Sequence, residues 1–305
     1  MSVRSAFERL SGHLDGLCRR DELLARHTTF RIGGPAALFI ECDSIADLTL
    51  TTVTLEEEGV DWTVLGKGSN VLAADSGYGG AIIVLGRDFK RHALEGGRLS
   101  AGAGVSLAAL VQAAFSKALT GLEFAVGVPG TLGGALVMNA GSREEWIGSV
   151  VESVTVLVPG QGMRLLRHDD IAWGYRMTDL AKHGIAVEAS LSLQEGDEWK
   201  IRATMEAALK RRRRTQPLGL PNAGSVFANP DGDSAGGLIE RCGLKGTARG
   251  GAQISDVHAN FIVNTGGATA RDVLELMKLA RDTVREAHGI ELRPEIRFLG
   301  AFDEA

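Results

Sequence analysis

Glycine is the residue type that most constrains how this chain can fold. The sequence has 40 glycines in 305 residues, whereas average usage would be about 7%. They follow no collagen period and form no low-complexity tract. The densest segments are 66–70 and 127–141. Because glycine permits tight turns and close approach of the backbone to a ligand or another chain segment, 127–141 is predicted to be such a region and not a continuous strand.

The overall composition is that of a globular protein. Hydrophobic residues make up 44% and charged residues 23%, and the mean hydropathy is +0.04. At roughly 100 to 200 residues per domain, the length predicts about two domains. No stretch reaches the roughly 18 consecutive apolar residues of a membrane helix, and Arg4, Glu8 and Arg9 stand where a signal peptide would be apolar. We therefore expect a cytoplasmic protein with no membrane partner.

Charge and cysteine usage argue against two further classes of protein. The net charge of -5 and the 5% aromatic content predict no nucleic-acid partner. The cysteines lie far apart and have neither CxxC nor Cys/His spacing, so we expect reduced thiols, no disulfide framework and no metal site. These cysteines are Cys18, Cys42 and Cys242.

Hydrophobic periodicity predicts a mixture of helices and strands. Ser44 and Asp47 are typical of a capped helix start, as are Thr269 and Asp272, and Gly289 is expected to end the second of these helices. Helices are predicted at 1–26, 44–59, 105–119, 198–214 and 269–289. Strands are predicted at 38–41, 60–65, 81–85, 150–158, 185–193, 225–228, 260–264 and 295–299. This pattern indicates an α+β fold with a region 1–197 followed by a smaller domain 198–305.

The two glycine-rich segments are candidates for binding an anion. Lys67 is followed by Gly68, so the first is not a Walker A loop, and Val71 stands where a Rossmann fingerprint needs its third glycine. Successive backbone N–H groups in such turns can converge on phosphate oxygens. Two loops would suit a dinucleotide, and each alone could equally be a tight turn or a close chain crossing.

Further motifs give the sequence a specific resemblance. In order along the chain they are HTTFRIGGP (27–35), LGKGSN (65–70), the glycine-rich run 127–141, GYR (174–176), NAGSVF (222–227), HANFIVN (258–264) and RPEIRF (293–298). Together they resemble the UDP-N-acetylenolpyruvoylglucosamine reductase (MurB) family, in its shorter subtype. The resemblance implies an FAD-binding module of the vanillyl-alcohol-oxidase (PCMH) type followed by a smaller α+β substrate domain.

The resemblance also implies the cofactors and the reaction. FAD would be held without a covalent bond, since 66–80 contains no histidine, and NADPH would be the hydride donor. The substrate would be the UDP-sugar UDP-N-acetylglucosamine enolpyruvate and the product UDP-N-acetylmuramate. The implied cofactor-binding residues are Leu65, Gly66, Lys67, Gly68, Ser69, Asn70, Gly127, Val128, Pro129, Gly130, Thr131, Gly133, Gly134, Asn139, Ala140 and Gly141.

Three side chains are implied to act on the substrate. Hydride addition to the enolpyruvyl group builds negative charge on the carbon beside the carboxylate. Arg176 would stabilise this charge, and Glu295 would do so as a protonated donor or through an ordered polar contact. Ser225 would then donate the proton. Implied substrate contacts are Arg213, Asn229 and His258.

Ordinary structural interpretations of these side chains exist beside the functional ones. Arg176 could pair with a surface carboxylate, Ser225 could close a turn, and Glu295 could be a solvated edge residue. His258 could be a core histidine held by a hydrogen bond.

Two other functions fit the same residues. One is a flavin oxidase of this fold that acts on another small molecule, and the other is a non-catalytic flavin-fold partner of the cell-wall machinery. The sequence does not specify an oligomeric state. The chain also departs from the family at 142–146, and it has Thr178 where serine is commoner.

Overall fold

A computed structural model describes residues 2–142 and 144–302. Within these ranges eight α-helices form: α1 (Val3–Leu10), α2 (Ile45–Glu57), α3 (Leu107–Phe115), α4 (Leu132–Met138), α5 (Leu180–His183), α6 (Glu198–Thr215), α7 (Ala235–Arg241) and α8 (Ala270–His288).

Nineteen strands form in the same ranges. They are β1 (Leu17–Leu23), β2 (Pro35–Cys42), β3 (Trp62–Val64), β4 (Val71–Ala73), β5 (Tyr78–Leu85), β6 (His92–Glu95), β7 (Arg98–Gly102), β8 (Leu119–Thr120), β9 (Val151–Val158), β10 (Gly162–Arg167), β11 (Trp173–Gly174), β12 (Met177–Thr178), β13 (Ile185–Ser192), β14 (Gln194–Glu195), β15 (Asn222–Ser225), β16 (Ala248–Arg249), β17 (Ala252–Ile254), β18 (Phe261–Asn264) and β19 (Arg297–Leu299). The α+β prediction is confirmed.

The strands form three larger sheets and three two-stranded ones. The larger sheets have the orders β1-β2-β5-β3, β10-β9-β13-β7-β6 and β15-β18-β17-β16. The five-stranded sheet is antiparallel throughout. Strands β4 and β19 pair in parallel although more than 200 residues separate them along the chain.

The chain divides into two compact units, each made of three chain segments. Unit 1 comprises 1–20, 38–66 and 80–210, and unit 2 comprises 21–37, 67–79 and 211–305. Each unit has its own apolar core. Phe30, Ile32 and Leu72 belong to the core of unit 2, together with residues from the C-terminal segment. The units therefore do not follow the linear division 1–197 and 198–305.

The helix starts predicted from capping residues are confirmed. Ser44 accepts the Asp47 N–H at the start of α2, and Thr269 and Asp272 form a reciprocal capping box at the start of α8. Gly289 ends α8 at a left-handed φ of 66°, a conformation in which glycine has no Cβ penalty.

Two predicted elements are wrong. The helix predicted over 1–26 ends at Leu10, and the chain then forms strand β1, which pairs with β2. The strand predicted over 225–228 lies earlier, at Asn222–Ser225. Beyond it, the Asn260 side chain supplies both of the hydrogen bonds that a neighbouring strand would give to Phe227.

The described ranges lack two features. Among residues 2–142 and 144–302, every helix is too short or too polar to cross a bilayer. The same residues contain no group of three or more His, Cys, Asp and Glu side chains arranged to hold a metal ion.

Candidate active site

In unit 1, the two glycine-rich segments meet at Gly66. The Leu65 N–H donates to the Ile83 carbonyl at 2.8 Å, which fixes the end of the first segment beside β5. A Cβ placed on Gly66 would lie only 2.6 Å from Thr131 Oγ1. Glycine leaves room here for the Thr131 side chain, so the two segments are in contact at this point.

Two glycines in left-handed conformations shape the second segment before helix α4 begins. Gly127 has φ 70° and Gly130 has φ 142°. Thr131 caps α4 by accepting the Gly134 N–H at 3.3 Å, and the Gly133 N–H donates to the Ala103 carbonyl at 2.8 Å. The turn is thereby held in a fixed shape while the backbone at Gly127 and Gly134 stays exposed.

Arg176 lies in the two-residue turn between β11 and β12. Its φ of 59° is left-handed, which costs a non-glycine residue about 1 to 3 kcal/mol and is found most often at functional sites. Its Nη1 donates to the Gly141 carbonyl at 2.5 Å, and its guanidinium lies 5.5 Å from the centre of the Tyr175 ring. The guanidinium is thus held beside the end of the second glycine-rich segment.

The Asn139 side chain has a role that sequence reasoning missed. Its Nδ2 donates to the Gly174 carbonyl at 2.9 Å, and its Oδ1 accepts the Gly148 N–H at 3.1 Å. Asn139 is buried and ends α4 at φ 42°. The amide therefore anchors the hairpin that carries Arg176. No local pattern could have revealed a partner 35 residues away.

The divergent loop after Gly141 is short and closed. The Ser142 N–H donates to the Glu145 carbonyl at 2.7 Å, and Ser142 Oγ accepts from the N–H groups of Glu144 and Glu145. Residue 143 belongs to the stretch 142–146, where the chain departs from the family, and it lies outside the described residues.

In unit 2, the continuation of the first glycine-rich segment packs against two others. A Cβ on Gly68 would lie 2.4 Å from the His27 carbonyl oxygen. Asn70 Nδ2 donates to the Glu295 carbonyl at 3.2 Å, and the Asn70 carbonyl accepts the Arg297 N–H at 2.9 Å. The segment 67–70 is therefore bonded to the backbone at Glu295 and Arg297.

Ser225 and Glu295 are brought close together through their backbones. Ser225 ends β15, and the Glu295 N–H donates to the carbonyl of the next residue, Val226, at 2.8 Å. Both side chains are partly exposed. The turn before Ser225 is closed by Asn222, whose Oδ1 accepts the Gly224 N–H at 2.9 Å, so the Ser225 hydroxyl is not needed for it.

The residues implied to contact substrate have different surroundings. Arg213 is exposed at the edge of a cavity of about 380 Å³ that Gln216, Leu220 and Gln253 also line. The Asn229 carboxamide accepts the Ala235 N–H at 3.0 Å at the start of α7.

His258 is half-buried and already has one partner. Its Nδ1 accepts the Asn260 N–H at 3.1 Å, and its ring lies 5.0 Å from that of Phe261. Burial lowers the pKa of His258, and the nearby Lys245 lowers it further. The ordinary interpretation as a held core histidine thus has direct support, and only Nε2 is left for a substrate.

The implied site residues fall into two connected sets. In unit 1 the set comprises Leu65, Gly66, the segment 127–141 and Arg176, and in unit 2 it comprises Lys67 to Asn70, Ser225 and Glu295. Each set is joined internally by the contacts described above. Arg213, Asn229 and His258 also lie in unit 2, outside these contacts.

The chain is similar to known proteins over most of its length. A family model described as an FAD-binding domain matches residues 36–164, and one described as the C-terminal domain of UDP-N-acetylenolpyruvoylglucosamine reductase matches 216–299. The reductase of that name from Heliobacterium modesticaldum is 45% identical over 93% of this chain and 91% of its own length. This chain belongs to the UDP-N-acetylenolpyruvoylglucosamine reductase family.

Further MurB family members agree. The reductase from Halalkalibacterium halodurans is 42% identical over 93% of this chain and 95% of its own. The crystal structure of MurB from Thermus caldophilus superposes with a TM-score of 0.82 at 35% identity and covers 93% of this chain and 99% of that one. The predicted fold, an FAD-binding module followed by a smaller α+β domain, and the prediction of an FAD-dependent oxidoreductase are confirmed.

The residues of unit 1 fit a bound dinucleotide. Gly66 contacts the turn at 127–131 through Thr131, and the backbone of Gly66 and Gly127 is exposed. Exposed backbone N–H groups in glycine turns suit a diphosphate.

Proposed function

We propose that this chain reduces UDP-N-acetylglucosamine enolpyruvate to UDP-N-acetylmuramate, with FAD as cofactor and NADPH as the source of hydride. The observation that carries the proposal is that hydrogen bonds join segment 67–70 to Glu295 and Arg297, and Glu295 to Val226 beside Ser225, in a chain of the MurB family. The product is a peptidoglycan precursor. Cytoplasmic location and the lack of nucleic-acid or membrane partners remain predictions.

The two glycine-rich segments would hold the FAD. Backbone from Leu65 to Asn70 and from Gly127 to Thr131 would contact the diphosphate, and Gly133, Gly134 and Asn139 to Gly141 would line the flavin. When bound and reduced, FAD supplies the hydride that adds to the terminal carbon of the enolpyruvyl group.

Arg176 would bind the substrate carboxylate and stabilise the negative charge that develops on the carbon next to this carboxylate. A guanidinium stays protonated and can offer two parallel N–H donors to a carboxylate. One N–H of Arg176 already donates to the Gly141 carbonyl, so the group is oriented before the substrate binds.

Ser225 would donate the proton that completes the reduction. A serine hydroxyl is a weak acid, so it can do so only to a strongly basic carbon held at hydrogen-bond range. Its place next to Glu295 is fixed by the Glu295–Val226 backbone hydrogen bond. Glu295 would be the second group that stabilises the developing charge, either as a protonated carboxyl that donates a hydrogen bond or through an ordered polar contact.

The nucleotide-sugar would contact unit 2. Arg213 would offer a cation to the substrate diphosphate beside the cavity at 213–220. Asn229 and His258 are proposed as sugar contacts, through the Asn229 Nδ2 and the His258 Nε2.

An anaerobic absorption titration tests the proposal. NADPH should bleach the flavin, and the enolpyruvyl UDP-sugar should then restore its colour. Recovery only on admission of air would favour the oxidase, and a protein that takes up FAD but is not bleached would favour a non-catalytic role.

Substitution of Ser225 tests the proton donor. Ser225→Ala should still bind FAD and be bleached by NADPH, while product formation falls at least a hundredfold, within the range that acid–base groups contribute. The control is Ser116→Ala, since Ser116 is exposed at the end of α3 and its hydroxyl bonds the Ala113 carbonyl of the same helix. Wild-type turnover in Ser225→Ala would refute the assignment.

A further inference from the structure

The hairpin that carries Arg176 is fastened to the segment 132–141 by three side chains. Thr178 Oγ1 lies 3.2 Å from both the Leu136 and the Val137 carbonyl oxygens, so its single proton is shared between them. Asn139 Nδ2 bonds the Gly174 carbonyl, and Arg176 Nη1 bonds the Gly141 carbonyl. All of these contacts lie within unit 1.

These bonds act on both ends of a strained turn. Arg176 has a left-handed φ of 59°, and a strained residue keeps such a conformation only when its surroundings hold it there. Asn139 holds Gly174 before the turn, and Thr178 holds the strand after it. The carbonyls that Thr178 reaches belong to the last turn of α4, where the Leu136 carbonyl also accepts the Asn139 N–H at 3.2 Å.

We propose that Thr178 is a positioning residue for Arg176. Its hydroxyl ties the turn to the end of α4, and α4 begins at the second glycine-rich segment. The guanidinium is thereby kept at a fixed place relative to the segment proposed to line the flavin. The inference rests on the proposed function, because it assumes that Arg176 stabilises charge on the substrate.

The proposal assigns the positioning of Arg176 to the Thr178 hydroxyl and not to its methyl group. Thr178→Ser keeps the donor, so kcat should stay within about twofold of wild type. Thr178→Val keeps the shape of the side chain and removes the hydroxyl, which donates to α4 and also accepts the Leu180 N–H at 3.4 Å. We expect kcat to fall about tenfold, which corresponds to the loss of roughly one hydrogen bond. The Kd for FAD should change less than twofold in both variants.

The matched control is Thr52. Like the Thr178 hydroxyl, the Thr52 hydroxyl bonds two backbone carbonyls, in this case those of Leu48 and Thr49 in helix α2. Thr52 is fully buried in unit 1. Thr52→Val should leave kcat unchanged although it removes the same kind of hydrogen bond. A decrease in kcat there as large as in Thr178→Val would mean that general loosening of unit 1 explains the effect.

A double-mutant cycle with Arg176→Ala separates positioning from a structural role. The rate of flavin reoxidation by the enolpyruvyl sugar is measured anaerobically in a single turnover for each variant. If Thr178 acts through Arg176, then Thr178→Val should cause no further decrease in the Arg176→Ala background. An equal decrease in both backgrounds would overturn the inference while leaving the role of Arg176 intact.

Two further results complete the test. If Arg176→Ala alone reoxidises at the wild-type rate, the assignment of Arg176 in the proposed function fails, and the inference fails with it. If Thr178→Val does not fold, Thr178→Ala takes its place in the cycle, since it also removes the hydroxyl that bonds the Leu136 and Val137 carbonyls. It should show the same dependence on Arg176, and additivity would overturn the proposal.

Discussion

Asn260 should be one of the most sensitive positions in unit 2, although it is assigned no chemistry. Its Oδ1 accepts the Phe227 N–H at 2.9 Å and its Nδ2 donates to the Phe227 carbonyl at 2.8 Å. Both residues are 2% exposed, so water cannot replace either bond. The pair of bonds holds the backbone just beyond Ser225.

The cost of Asn260→Ala follows from these contacts. The substitution leaves one buried N–H and one buried carbonyl without partners, and each such group costs about 1 to 3 kcal/mol. The sum is about 4 kcal/mol, a large part of the stability of an ordinary domain. Product formation should also fall, because the backbone that fixes Ser225 and Glu295 is released.

Urea unfolding followed by far-ultraviolet circular dichroism measures this cost. All four tryptophans lie in unit 1, so tryptophan fluorescence, recorded in parallel, reports unit 1 separately. The control is Asn229→Ala, which removes one hydrogen bond from an exposed side chain and should cost about 1 kcal/mol. An Asn260→Ala loss no greater than that of the control would refute the reasoning.

Two further predictions concern stability. Asp75 accepts the N–H groups of Ala270 and Arg271 at the start of α8, at 2.8 and 3.1 Å. Asp75→Ala should therefore lower the free energy of unfolding, measured in urea melts, by about 1 to 2 kcal/mol. A loss below about 0.3 kcal/mol would contradict this prediction. Burial lowers the pKa of His258 in the folded state. The contribution of neutral His258 to the free energy of unfolding is therefore complete above the unfolded-state pKa of about 6.5, and it is lost as the pH falls through the lower pKa of the folded state. His258→Asn, which can still accept the Asn260 N–H, should therefore lose less stability than wild type between about pH 7.5 and pH 5, and equal losses would show that His258 does not titrate in this way.

Local signals predicted the helices best. The starts of α2 and α8 could be predicted because the two capping residues of each helix lie three positions apart in the sequence. Ser44 and Asp47 at the start of α2 are an example. The strand β1 could not be predicted, because the spacing of Leu14 and Leu17 is compatible with a helix and only pairing with β2 decides against it. Such pairing is a tertiary effect that overrides local preference.

The candidate site was predictable through the family resemblance and not through local pattern. The motifs named Arg176, Ser225 and Glu295, but nothing in them indicates that Asn139 holds the Arg176 hairpin or that Asn260 holds the chain after Ser225. These partners lie 35 and 33 residues away from the groups they bond. Side-chain bonds over such separations depend on a fold that is already formed.

The three-segment construction of unit 2 bears on how the chain can be made and divided. On the ribosome, 21–37 and 67–79 emerge long before 211–305. Their apolar residues therefore cannot pack into the core of unit 2 until most of the polypeptide has been synthesised. A fragment of 211–305 alone would lack the β4 partner of β19, the Asp75 cap of α8 and the packing of Phe30. The C-terminal stretch is therefore not a transplantable module, and a split protein would need the two early segments added in trans to complete it.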